Sequence, residues 1–186
     1  MRLFVAVNLP PPLRREIWLV TEALRVADLP MKWVPADNLH LTLKFLGEAP
    51  PTRRPEIEAA VTAAVRGARP FTLGVGGFGA FPAVERPRVI WVGCEGIPAL
   101  ELLQHQVEVE TERIGFPGEA HPFRPHVTLG RAKRGATPAR FRRLDRLLGD
   151  LMLDGEFAVQ SLDLMESRGG PDGSVYHVVH SAALAA

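Results

Sequence analysis

This chain reads as an α+β protein whose two halves are built alike. Segments with apolar residues at helical spacing alternate with short apolar runs that read as strands. The segments LHLTLKFLG and PHVTLGR carry the same His-apolar-Thr-Leu pattern 86 residues apart (126 minus 40), each with a helical segment before and after it. No clear linker divides the halves, and 186 residues at 46% hydrophobic composition suffice for a single domain, residues 1–186, of two intimately packed lobes.

Residues 3–7 are an apolar run expected to form a buried strand. After Pro10, Pro11 and Pro12, the residues Leu13, Ile17, Val20, Leu24 and Ala27 recur at helical spacing and predict one amphipathic helix. A short strand is expected at 31–34. Residues 39–46 alternate, with Leu39, Leu41, Leu43 and Phe45 on a core face and His40, Thr42, Lys44 and Leu46 on the other. The second helix is expected from Thr52 to Gly67, with Ile57, Val61 and Ala64 inward and Gly67 as its stop. Strands at 71–75 and 89–95 flank GVGGFGAFPAVERP, a Gly- and Pro-punctuated stretch that reads as a loop. No helix follows it, so a dinucleotide-binding reading fails.

A third helix over 98–114 sets Leu100, Leu103, Val107 and Ile114 on one side, and in the strand at 123–131 Val127 and Leu129 oppose His126 and Thr128. Thr137 and Pro138 open a fourth helix ending near Gly149. Strands at 156–160, 161–167 and 174–184 close the chain, the last two joined by GGPDGS as a hairpin turn.

Composition removes several classes of function. The longest apolar run is far shorter than a membrane span, and the N-terminal apolar run breaks at Pro10 before a signal-peptide core develops, so a soluble cytoplasmic protein is expected. A single cysteine, Cys94, excludes an intrachain disulfide and reads as a core thiol. Neither motif holds an acidic ligand, and His105, His121, His177 and His180 make no zinc set, so no metal and no cofactor is expected. His177 and His180, three apart on a strand, are expected on opposite faces. Net charge is only +1, but seven of the residues from Arg131 to Arg146 are basic against one acid, Asp145. That run suits a polyanionic RNA backbone as well as it suits a solvated helix face.

The two His-x-Thr motifs carry the chemistry. Chance places roughly 0.26 such triplets in a chain with this many His and Thr, so two matched copies are hard to assign to coincidence. On a strand, His and Thr two apart share one face, and an imidazole and a hydroxyl there can engage one phosphate from the same side. Two such strands grip it from both sides, one His taking a proton from water while the other gives one to the departing oxygen. Arg131 is positioned to neutralise phosphate charge, although strict alternation puts it on the face opposite His126; Lys44 is the alternative cation.

These residues resemble the two-histidine (2H) phosphoesterases, and within them the RNA 2',3'-cyclic phosphodiesterases, also called 2'-5' RNA ligases. The likeness covers nearly the whole chain, through RLFVAVNLP, KWVPADNLHLTLKFLG, GFGAFPAVERPRVIWVG, FRPHVTLGR and SLDLMESRGGPDGSVYHVV in order. It implies a bilobal fold in which two antiparallel sheets, related by a pseudo-twofold, line a cleft with helices packed outside. It also implies action on RNA with a 2',3'-cyclic phosphate terminus, with His40 as proton donor, His126 as proton acceptor, and Thr42, Thr128 and Arg131 holding phosphate; a monomer is expected. Phe4 stands where the family has an aromatic and is a candidate for stacking on the terminal base, a core position being the alternative. Three further readings stay open: ligation by reversal of the same chemistry, small cyclic nucleotide substrates, and a noncatalytic RNA-end binding module.

Overall fold

The computed structural model describes residues 1–185. Strands are β1 (Arg2–Asn8), β2 (Met31–Trp33), β3 (His40–Glu48), β4 (Phe71–Ala83), β5 (Arg86–Cys94), β6 (His126–Ala132), β7 (Gly155–Val159), β8 (Ser161–Gly170) and β9 (Gly173–Ala183). Helices are α1 (Pro11–Val20), α2 (Glu22–Val26), α3 (Arg54–Ala64), α4 (Pro98–Arg113) and α5 (Leu144–Gly149). The helix expected over 13–27 is broken at Thr21, whose hydroxyl donates back to the Ile17 carbonyl at 2.7 Å.

All strand pairs are antiparallel and follow the order β7-β4-β5-β6-β3-β1-β8-β9, with β2 paired to β6. The two expected sheets are thus one curled sheet, but its middle is thin: β3 and β6 meet through the single pair Leu41 and Val127. Outward from that seam, β3-β1-β8-β9 on one side answers β6-β5-β4-β7 on the other. The two motif strands are therefore neighbours at the centre.

Period-two alternation divides β1 between two environments. Leu3, Val5 and Val7 join the main core, into which Ile57, Val61, Leu100, Leu103 and Val107 of α3 and α4 also pack. Phe4 and Ala6 point the other way and form a small cluster with Met165 and Tyr176.

The glycine-punctuated stretch expected as a loop is strand instead. β4 runs through it to Ala83 and turns directly into β5. Its glycines serve close approach: a Cβ on Gly79 would lie 2.4 Å from the Trp91 ring, and Gly77 takes φ 73° at the bulge between Val75 and Phe78.

Strand β3 departs from strict alternation for a related reason. Ala6 pairs with Thr42 but Val5 pairs with Lys44, so Leu43 is an extra residue and Lys44 and Phe45 change face, before a second shift at Leu46. Phe45, expected in the core, is 59% exposed, and Lys44, expected beside Thr42, is 2% exposed. Its ammonium donates to Glu108 of α4 and, at 2.8 Å, to the Pro117 carbonyl. Lys44 is thereby withdrawn as a phosphate ligand.

Candidate active site

The same device sits in β6. Trp91 pairs with Thr128 and Ile90 with Gly130, leaving Leu129 as the extra residue. The bulge carries Arg131 round to the face of His126 and Thr128, overturning the opposite-face expectation from simple alternation. Position 45 stands to His40 as 131 stands to His126, five residues on, so the two bulges present Phe45 in one half and Arg131 in the other.

His40, Thr42, His126, Thr128 and Arg131 all line one open cleft of ≈ 860 Å³. Each imidazole is tied by Nδ1–H to the carbonyl two residues before it: His40 to Asn38 at 2.7 Å and His126 to Arg124 at 2.6 Å. That bond fixes the neutral tautomer with Nε2 as the remaining acceptor. At His40 the Thr42 hydroxyl donates to Nε2 at 3.0 Å.

Aromatic rings flank both histidines. Phe4 and Tyr176 lie 4.9 and 5.2 Å from the His40 ring, and Phe81 and Trp91 lie 5.0 and 6.4 Å from His126. Burial among these rings disfavours the imidazolium. It pushes His40 down to about 4, helped by the positive charges of Arg14 and Arg131, while the Asn38 carbonyl pulls the other way. His126 is lowered by burial and by Arg131, against its bond to Arg124, and is the less deeply buried of the two.

Phe4 is 4% exposed beneath His40 and Tyr176, so it offers no free face to a base; it backs the histidine instead. The aromatic that does stand open is Phe45. Of the basic run from Arg131 to Arg146, only Arg131 lines the cleft; Arg140 donates to the Asp28 carbonyl at 3.1 Å and Arg142 borders a separate groove. Cations that simple pattern reading passes over, Arg88 and Arg124, line the cleft, as does His121.

Elsewhere, burial raises the Cys94 thiol to about 12, in keeping with an inert core sulfur. An extra residue at Val179 brings His177 and His180 onto one face of β9 rather than two, away from the cleft, with His180 bonded to Thr62 at 2.8 Å. Among the described residues, no helix is long and apolar enough to cross a membrane.

A family model described as the 2'-5' RNA ligase superfamily matches residues 10–171. The chain belongs to that superfamily. An RNA 2',3'-cyclic phosphodiesterase of Methanothermobacter thermautotrophicus is 34% identical over 178 residues, covering 95% of each chain. One of Thermus thermophilus is 36% identical over 190 residues, covering 99% of this chain and 90% of the relative. Among solved structures, a Thermus thermophilus protein superposes with a TM-score of 0.80 at 32% identity, covering 99% of this chain and 98% of its own. E. coli LigT complexed with 3'-AMP gives 0.74 at 28% identity, covering 98% and 97%. The curled antiparallel sheet with its helices is thus the fold of these superfamily members.

Proposed function

We propose that this chain hydrolyses RNA ends carrying a 2',3'-cyclic phosphate, expelling the 3' oxygen and leaving a 2'-phosphate. One observation carries the reading: two imidazoles, each locked through Nδ1 to a backbone carbonyl, open onto the same cleft beside Thr42, Thr128 and Arg131. The curated relatives named RNA 2',3'-cyclic phosphodiesterase support it.

In this mechanism Thr42 and Thr128 hold nonbridging oxygens, and Arg131 neutralises charge that grows on the phosphorane. His126, neutral and with Nε2 free, takes the proton of the attacking water; His40, protonated in the complex, gives its proton to the 3' oxygen. A bound phosphate anion favours that protonation by opposing the effect of burial. Because His40 serves the leaving oxygen, the ribose lies on its side, and the base meets the open ring of Phe45, 6.2 Å from Phe4. The scheme uses no metal, its proton transfers and charge neutralisation being carried by the two histidines and Arg131. A monomer suffices, since both histidines come from one chain, and the cytoplasm is the expected setting.

The deciding experiment is product analysis by ³¹P NMR after incubation with a defined 2',3'-cyclic-phosphate oligonucleotide. A 2'-phosphate formed equally with and without EDTA is expected. A 3'-phosphate product, or activity lost to EDTA and restored by a divalent ion, overturns the scheme. Joining to an added 5'-hydroxyl strand would report the reverse reaction, 2'-5' ligation.

A further inference from the structure

We propose that Arg14, which stands outside the cleft, is a positioning residue for His40, clamping the peptide before it and holding a fixed positive charge behind its ring. The guanidinium is anchored twice: Nε donates to the Leu39 carbonyl at 3.1 Å, and an Nη donates to Oδ1 of Asn8 at 3.0 Å. Asn8 is the register partner of His40 across β1 and β3. It cannot turn away, because its amide donates to Oδ2 of Asp163 at 2.7 Å. Asp163 is 6% exposed and receives the Ser181 hydroxyl at 2.6 Å on its other oxygen. A line of bonds therefore runs from β9 through β8 and β1 to α1 and ends on the residue preceding His40. Hydrogen-bond chains of this kind, anchored here on the buried Asp163, rigidify the groups they join.

The charge matters as much as the clamp. Arg14 borders a separate hollow with Asn8, Asp37, Asn38 and Asp163, not the substrate cleft. The other charged or titratable groups around His40 are Asp37 on the preceding turn, Asp163 on β8, Tyr176 on β9, and His126 and Arg131 on β6. Arg131 is the cation a bound phosphate would neutralise; Arg14, on the far side, keeps its effect. Its charge adds to the lowering that burial imposes on His40; burial lowers the Arg14 guanidinium itself, and Asp37 and Asp163 oppose that and favour its charged form. Granting the acid role proposed for His40, Arg14 limits how tightly the ring keeps its proton once phosphate is bound, so the proton passes to the ribose oxygen.

The test is an NMR titration of the histidine rings in the substrate-free protein, comparing the parent with Arg14→Gln and Arg14→Lys. His40 should rise in the glutamine variant, as expected for loss of a nearby like charge. It should stay near the parent value in the lysine variant, and His126 should hold still in both. In the pH profile of kcat/KM, the limb reporting His40 should move with it in the glutamine variant only. An unmoved His40 in Arg14→Gln overturns the proposal, as does a lysine variant that rises like the glutamine one, or a joint shift of both histidines. Should Arg14→Gln not fold, Arg14→Met, which also removes the charge, takes its place with the same expected rise and the same overturning result. Because the titration needs no substrate, absence of cyclic phosphodiesterase activity would count against the proposed function and leave this inference standing.

Discussion

The His40 and His126 halves of the cleft share a backbone and differ in what they do with it. Both strands carry His-x-Thr-Leu, both add a residue at that Leu, and both use the bulge to bring the residue five after the histidine onto the cleft face. In one half that residue is Phe45 and in the other Arg131. The residue before it differs as well: Lys44 is buried in an ion pair with Glu108, whereas Gly130 lies where a Cβ would come within 2.6 Å of the Trp33 ring. A symmetric pair of His-x-Thr strands thus sits between asymmetric flanks, an aromatic one at Phe45 and a cationic one at Arg131, which the proposed mechanism assigns to the base and to phosphate charge. The backbone device sets which positions face the cleft, and in the proposed mechanism single residues at those positions set the polarity of the reaction.

The largest expected effect removes the symmetry itself. His40→Ala and His126→Ala should each lower kcat/KM for a cyclic-phosphate oligonucleotide by about 10²-fold or more, the scale of losing a general acid or base. Turnover near that of the parent in either variant sinks the two-histidine mechanism.

Next in size are the asymmetric flanks. Arg131→Ala should cost about 10²-fold in kcat, as for one donor to a developing oxyanion. Phe45→Ala should act mainly on KM, by the ~1–3 kcal/mol of one base stacked on an aromatic ring, and should spare a ribose cyclic phosphate that lacks a base. Phe45 is 59% exposed, so loss of fold is not the expected cost. If Phe81→Ala raises KM and Phe45→Ala does not, the ribose lies on the His126 side and the acid and base exchange roles.

Much of this is legible in the chain, and what is not has a common cause. The second and third helices, most strands and the paired motifs follow from hydrophobic period and from matched short patterns, which are local; the first expected helix breaks at Thr21, and the fourth is a 3-10 turn at Pro138–Phe141 followed by α5. Arg131, Phe45 and Lys44 escape strict alternation because one inserted residue inverts every later face, and a bulge leaves no periodic trace of its own. The 86-residue offset nonetheless holds a clue, since it equates Phe45 with Arg131. Strand β4 is hidden by glycines such as Gly79, packed on the Trp91 ring, and Gly76, packed on the Leu153 carbonyl, tertiary reasons that propensity does not contain. Phe4 sits on the expected strand, but the ring of Tyr176 that covers it comes from a segment 172 residues away (176 minus 4).

The smallest expected effect is on stability, and it compares the two histidines without substrate. His40 titrates at about 4 in the folded chain against an ordinary 6.5, so the fold favours its neutral ring. Between those values the unfolded chain binds more protons than the folded one, and its contribution, complete above 6.5, drains away as the pH falls toward 4. His126 is lowered in the same direction but is less buried. His40→Gln should therefore flatten the dependence of unfolding free energy on pH between 6.5 and 4 by up to about one proton, and His126→Gln by less. Carboxylates also titrate toward the lower end, but they are present in all three proteins and cancel when slopes, rather than absolute stabilities, are compared. Urea unfolding at several pH values measures those slopes, and a steeper flattening in His126→Gln would mean that the deeper, more strongly neutral ring is the one beside Arg131.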